Sequence, residues 1–211
     1  MPTLKNIVVG EGRSLAHVGA PNEQLRFVLK AGAKLDYFLP VLDEKSSKTH
    51  VVVELQGEHS SVNSHVVFFG DKKQEQTLRL EHIHQGRGTV SSLVAKGAVK
   101  DQALSQFYGL IKMAPGSIGA EGSLHEHSLL LSPGARIEAV PALEIEHDEV
   151  QASHAATLEK VDAEKLFYLL SRGLTEAAAM ELLVEGFFRE ALEGLPAEQR
   201  EDYYSAILKK L

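Results

Sequence analysis

None of the 211 residues is a cysteine, so the chain has no disulfide, no thiolate nucleophile, no cysteine-ligated zinc and no metal cluster held by thiolates of its own. Long apolar runs are also missing. No stretch approaches the roughly 18 residues that cross a bilayer, and residues 1–10 lack the apolar centre of a signal peptide. A cytoplasmic protein with no membrane partner is expected. Basic runs stop at Lys72-Lys73 and Lys209-Lys210 and the formal net charge is -7, which argues against nucleic acid, because backbone phosphates are held by clustered cations. Gly10, Gly12 and Gly19 have neither the spacing of a phosphate loop nor the Lys-Ser or Lys-Thr that follows one. Any dependence on ATP therefore has to come from another protein.

What is present is the composition of one large globular domain, or one domain with an appendage: 44% apolar residues with 24% charged. From residue 25 to 160, β-branched and apolar residues alternate with polar ones over short runs punctuated by glycine, as at 49–55, 64–69, 76–83 and 89–94. These runs read as strands. Gly97-Ala98, Pro115-Gly116 and Pro133-Gly134-Ala135 recur every 18 to 19 positions, a spacing that suits the coils of a β-solenoid. A jelly roll or cupin-like barrel also has short, evenly spaced strands, and spacing alone leaves it open. After Val161 the pattern turns helical. Asp162 is an N-cap, residues 163–171 carry Leu166, Phe167, Leu169 and Leu170 at helical spacing, and Gly173 is a stop. Thr175 caps a second helix running to about Glu193, with Leu183, Val184, Phe187 and Phe188 on one broad face and Gly194 ending it, and Pro196 opens a third.

The ten histidines include two His-x-His pairs, His82-Ile83-His84 and His125-Glu126-His127. On a strand each pair shares one face, about 6–7 Å apart by the strand rise. A solvated strand face is the default, and a chelate joined by Glu126 or Glu121 is the functional alternative, although Glu126 points to the opposite face of an ideal strand. A cupin needs an acid about four residues beyond its pair, and Gln85, Gly86, Arg87 and Gly88 supply none. A cupin-like or solenoid metal-binding protein that uses these pairs is the alternative reading. Glu144, Glu146, Asp148 and Glu149 read as a solvated strand edge rather than an acid–base pair.

Around the strand-to-helix junction the chain resembles a known family. Pro141-Ala142-Leu143-Glu144-Ile145, then Asp148, Val150, Ser153-His154 and Thr157, then Leu166-Phe167-Tyr168-Leu169, Ser171-Arg172-Gly173-Leu174 and Glu176-Ala177 follow in order and spacing the C-terminal signature of the SufB/SufD scaffolds of iron–sulfur cluster assembly. The likeness is to the SufD branch and covers about residues 25 to 193. It implies a mainly β fold, a right-handed parallel β-helix over residues 1–160, with a C-terminal α-helical subdomain over residues 161–211. It further implies a non-catalytic scaffold that docks on a SufC-like ABC ATPase and pairs through its β-helix with itself or with a second SufB/SufD-type scaffold, a nascent iron–sulfur cluster passing transiently through the interface. The flavin of some Suf complexes is left unassigned.

By the same resemblance His154 matches the histidine implicated as a cluster or iron ligand. Glu126 stands where the SufB branch carries a ligand cysteine, and Ala152 and Ala155 replace the cysteine and glycine that flank the histidine in many SufD chains. Glu126 and His127 are the secondary metal candidates, so a pair of such chains offers iron only nitrogen and oxygen ligands. The tail between Arg172 and Phe188, with Arg172, Gly173, Leu174, Leu183 and Phe187, is the expected ATPase-facing surface.

Overall fold

The computed structural model describes residues 4–193 and 195–211. Twelve strands precede three helices: β1 (Lys5–Val9), β2 (Ser14–Val18), β3 (Gln24–Leu29), β4 (Lys34–Val41), β5 (Ser47–Leu55), β6 (Ser61–Gly70), β7 (Glu75–His84), β8 (Val90–Val99), β9 (Leu104–Met113), β10 (Glu121–Leu130), β11 (Arg136–Ile145) and β12 (Gln151–Lys160), then α1 (Ala163–Ser171), α2 (Glu176–Leu192) and α3 (Ala197–Leu208). Odd-numbered strands form one six-stranded sheet and even-numbered strands the other, in the orders β1-β3-β5-β7-β9-β11 and β12-β10-β8-β6-β4-β2. Every pairing is parallel. The chain thus winds as a β-solenoid with two strands per coil, and among the described residues neither sheet closes into the barrel of a cupin.

The coil is longer than the glycine spacing predicts. Ser61 pairs with Val90, Val90 with Glu121, and Glu121 with Gln151, so successive coils advance by 29, 31 and 30 residues. The apparent period of 18 to 19 mixed unlike sites. Pro115-Gly116 and Pro133-Gly134 lie in the turns after β9 and β10, at different corners, whereas Gly97 lies inside β8 and packs on the Phe68 ring of the coil below. The true corner repeat is Gly12, Gly32, His59, Gly88 and Gly119, all at positive φ. Each donates its N–H to a carbonyl of the next coil, Gly32 to Glu58 at 2.8 Å and Gly88 to Ile118 at 2.9 Å among them, so a left-handed residue is what lets one corner stack on the next.

Between the sheets lies a core that includes Phe27, Tyr37, Phe68, Phe107 and Ile111. A second apolar cluster lies outside the even sheet, where Phe38, Val67, Phe69, Ala98 and Leu129 meet Val184, Phe188, Ala191, Leu192 and Ile207. The tail therefore folds back along the side of the solenoid rather than over its end. Burying Phe188 and Leu192 fully contributes about 1.5–3 kcal/mol each. Polar clasps add to this: Lys96 Nζ reaches Glu190 at 2.7 Å, and Lys210 Nζ reaches Asp71 at 2.9 Å with both side chains buried.

The helix caps follow the sequence. Asp162 accepts from the N–H groups of Glu164 and Lys165, Thr175 accepts from Ala178, and Gly173 turns the chain at φ 91°. The expected stop at Gly194 lies outside the described residues, and Pro196 precedes α3 as expected. No helix among the described residues is long and apolar enough to cross a membrane.

Candidate functional site

Side chains of β10 alternate between the two sides of the even sheet. Leu124 and Glu126 point into the solenoid, whereas His125, His127 and Leu129 point out. Glu126 is only 2% exposed; its Oε1 accepts from the Ser128 hydroxyl, and Oε2 is buried with no hydrogen-bond partner. Burial pushes this carboxyl up to about 7, against the opposing pull of Ser128. Its second oxygen is enclosed and unpaired.

Glu126 pairs in register with Ala156, and Leu124 with His154. His154 therefore shares the inner face of the sheet with Glu126, on the adjacent strand and offset by two residues, a diagonal that places Cα atoms about 7–8 Å apart. Because β12 ends the even sheet, His154 is exposed. An imidazole and a carboxyl near one open end are nitrogen and oxygen donors, the donor types left to a chain without thiolates.

His127 does not join them. Its ring packs edge-on against Phe187 with centroids 4.9 Å apart, and Nε2 lies 3.1 Å from Glu159 Oε1, all outside the solenoid. Among the described residues no three or more His, Asp or Glu side chains are grouped to hold a metal within one chain. The other His-x-His pair overturns the expectation of a solvated face: His82 and His84 point into the core and are 1% and 0% exposed. Thr89 donates its hydroxyl to Gly86 O, so it accepts from His84 Nδ1–H, and His84 Nε2 is left to accept from Ser91. His82 Nε2 lies 2.9 Å from the Ser64 hydroxyl. Both ring nitrogens of His84 are thus paired, whereas His82 Nδ1 is buried without a partner; burial pushes the two imidazoles down to about 3 for His82 and about 4 for His84 and holds them neutral. In the acidic run, Glu144 and Glu146 flank Lys112 at 3.1 and 2.9 Å on the sheet exterior.

The tail residues divide. Phe187 is partly buried against the solenoid, and Lys96 Nζ sits 5.5 Å from its ring centroid. With Leu129, Leu182, Leu183 and Gly186 it lines a groove of about 320 Å³ between the two helices and the sheet. Arg172 ends α1 with its guanidinium over Tyr168, Gly173 makes the turn, and Leu174 closes it by donating to Leu169 O. The most exposed apolar group here, Phe167, lies outside the stretch from Arg172 to Phe188 that the sequence offered as the partner surface, although periodicity had placed it on an apolar face. No residue of α1 is buried, and Phe167, Tyr168, Leu170 and Leu182 are 73%, 55%, 39% and 47% exposed. An amphipathic pattern states that a face is apolar, not whether its own body covers it.

Fold and site together define a parallel β-solenoid with an inward-facing glutamate and histidine near one end and a helical hairpin whose first helix, α1, is uncovered. The profile described as SUF system FeS cluster assembly, SufBD core domain, matches residues 13–187, and the chain belongs to this SufBD family. It is similar to the iron–sulfur cluster assembly protein SufD of Bacillus subtilis, 28% identical over 92% of this chain and 47% of that one. SufBD family proteins of Mycobacterium bovis and Methanothermobacter thermautotrophicus are 31% and 34% identical over 80% and 73% of this chain, and 20% and 37% of their own lengths. The chain thus spans less than half the length of these relatives.

Proposed function

We propose that the chain is a non-catalytic scaffold subunit of a cytoplasmic Suf-type iron–sulfur cluster assembly complex. It docks an ABC-type ATPase through α1 and the start of α2, and pairs through the free end of the solenoid with a scaffold of its own kind. Iron, or a nascent cluster, is its cargo. The observation that carries this reading is the position of Glu126 and His154, on one inner face at the end where the described solenoid stops at ten-residue strands. The exposed Phe167, Tyr168 and Leu182 support the docking half, since contiguous exposed apolar groups mark interaction sites. His127, behind Phe187, becomes a packing group, and Arg172, Gly173 and Leu174 shape the hairpin that presents the apolar face.

The test has two arms. Cobalt(II), read by its visible d–d bands, should bind the wild-type chain and lose affinity in His154→Ala and Glu126→Gln. An ABC ATPase of the Suf type should be retained by the wild-type chain and lost from Phe167→Asp and Leu182→Asp. Wild-type protein that binds neither refutes the scaffold reading.

A further inference from the structure

α3 is weakly supported along its own length. It spans 12 residues, Pro196 stands at its N-cap with no side-chain cap bond, and Ile207 is its one buried residue. A helix this short is marginal in water without tertiary contacts. Apolar contact reaches it from Phe38, whose ring packs on Tyr203 with centroids 5.0 Å apart, and from the outer cluster around Ile207. Among the described residues, no side-chain hydrogen bond or ion pair links Ala197–Leu208 to the solenoid or to α2.

The polar fastening lies beyond the helix, at residues 210 and 211. Lys210 Nζ donates to Asp43 O at 3.1 Å and to Asp71 Oδ1 at 2.9 Å, and sits 5.8 Å from the Phe69 ring centroid. Lys100 Nζ donates to Lys210 O at 3.0 Å and to Leu211 O at 2.8 Å. Asp43, Asp71 and Lys100 follow β4, β6 and β8, so they occupy the same corner of three successive coils. This socket is organised without the tail. Gln74, 5% exposed, donates from Nε2 to Asp43 O at 2.9 Å, and its Oε1 accepts from the Asp71 N–H at 2.9 Å.

α2 is held differently. Ala179, Val184, Phe188, Ala191 and Leu192 are buried along it, and Lys96 Nζ donates to Phe187 O at 3.2 Å and to Glu190 at 2.7 Å in its middle. One helix is thus fastened along its length and the next at its far end.

We propose that α3 with residues 209–211 is a strap, buckled by the Lys210–Asp71 pair, that releases while α2 and the solenoid stay folded. Opening bares the Phe38 ring under Tyr203 and the Phe69 ring under Lys210, which are 6% and 0% exposed in the closed form. The strap therefore withholds an apolar patch on the side of the even sheet, the kind of surface that marks an interaction site once uncovered. Every contact involved lies within the chain, so the device stands independently of the scaffold reading.

The energetics of the buckle favour a switch over a permanent weld. In the closed strap the Lys210 and Asp71 side chains are 7% and 8% exposed and compensate each other. In the open strap both regain water, so release strands no charge. Removing one partner strands the other in the closed form alone, which drives the strap open, whereas replacing both with apolar groups removes that penalty.

Hydrogen exchange of the full chain, resolved by peptide, tests the device. In the wild type, amides of Ala197–Leu208 should exchange about 100-fold faster than those of Glu176–Leu192, and trypsin should cut after Arg200 while the solenoid stays intact. Lys210→Met should speed α3 by about a further 100-fold and leave α2 and β6 unchanged. Asp71→Asn should do the same from the other side of the pair, and Lys210→Met combined with Asp71→Leu should return α3 close to its wild-type rate. Exchange of α3 in step with α2 in the wild type overturns the inference. So does a Lys210→Met chain whose α3 exchanges as in the wild type, or one whose acceleration spreads equally over α2 and the sheets. The wild-type comparison needs no substitution, so it decides the matter even where a variant fails to fold.

Discussion

Lowering the pH from 8 to 5 should destabilise the solenoid through two histidines that never see solvent. His82 and His84 are held neutral at about 3 and about 4 in the fold, against about 6.5 in an unfolded chain. A base whose folded pKa is depressed binds fewer protons folded than unfolded, so stability is present above pH 6.5 and lost as pH falls toward the folded values. At pH 5 each imidazole costs about 2 kcal/mol relative to pH 8, together about 4 kcal/mol. Glu126 acts with the opposite sign. Its folded value of about 7 lies above the usual 4.5, so its stabilising effect is present in acid and lost as pH rises through 7. Ionised at pH 8, it costs about 3 kcal/mol, of which about 2.5 kcal/mol is recovered at pH 5. The wild-type chain should therefore lose only about 1.5 kcal/mol between pH 8 and 5 from these three groups, and Glu126→Gln about 4 kcal/mol. Urea denaturation at both pH values and constant ionic strength reads the difference. His82→Leu in the Glu126→Gln background should halve the slope. Equal pH slopes for wild type and Glu126→Gln would refute the account of a buried carboxyl offsetting buried imidazoles.

Three further outcomes follow from packing. Gly97→Ala puts a methyl group into the Phe68 ring and should cost about 3 kcal/mol or more by denaturation, or prevent folding. Gly88→Ala, at φ 59° and with its Cβ 2.6 Å from His59 Nδ1, should cost about 1–2 kcal/mol, measured as a lowered midpoint with unchanged slope. Phe188→Ala should cost about 3–5 kcal/mol and raise dye binding as the outer stripe of Phe38, Val67 and Phe69 is uncovered; an unchanged midpoint would show that α2 is not held by this contact.

Local chemistry carried much of the architecture. Alternation in residues 76–83 locates β7, Asp162 and Thr175 cap α1 and α2 as their hydroxyl or carboxylate oxygens allow, and the solenoid class follows from many short strands together with the family signature. These features depend on a residue and its near neighbours, or on a motif read in line. The coil length was hidden because two strands and two different corners share one coil. His59 also occupies a left-handed corner where glycine sits on other coils, which interrupts the glycine pattern at its centre.

The sequence by itself determined which residue types alternate, where helices start, that no thiolate is available and which family the junction resembles. Only the tertiary structure decided which alternating set faces inward, and with it the roles of the two His-x-His pairs. A strand's period of two is symmetric between its faces, and only the opposing sheet breaks that symmetry. The same holds for the tail: Phe187 and Phe167 are equally apolar in the chain, but α2 lies against the even sheet and α1 does not, so one ring is partly buried and the other is exposed.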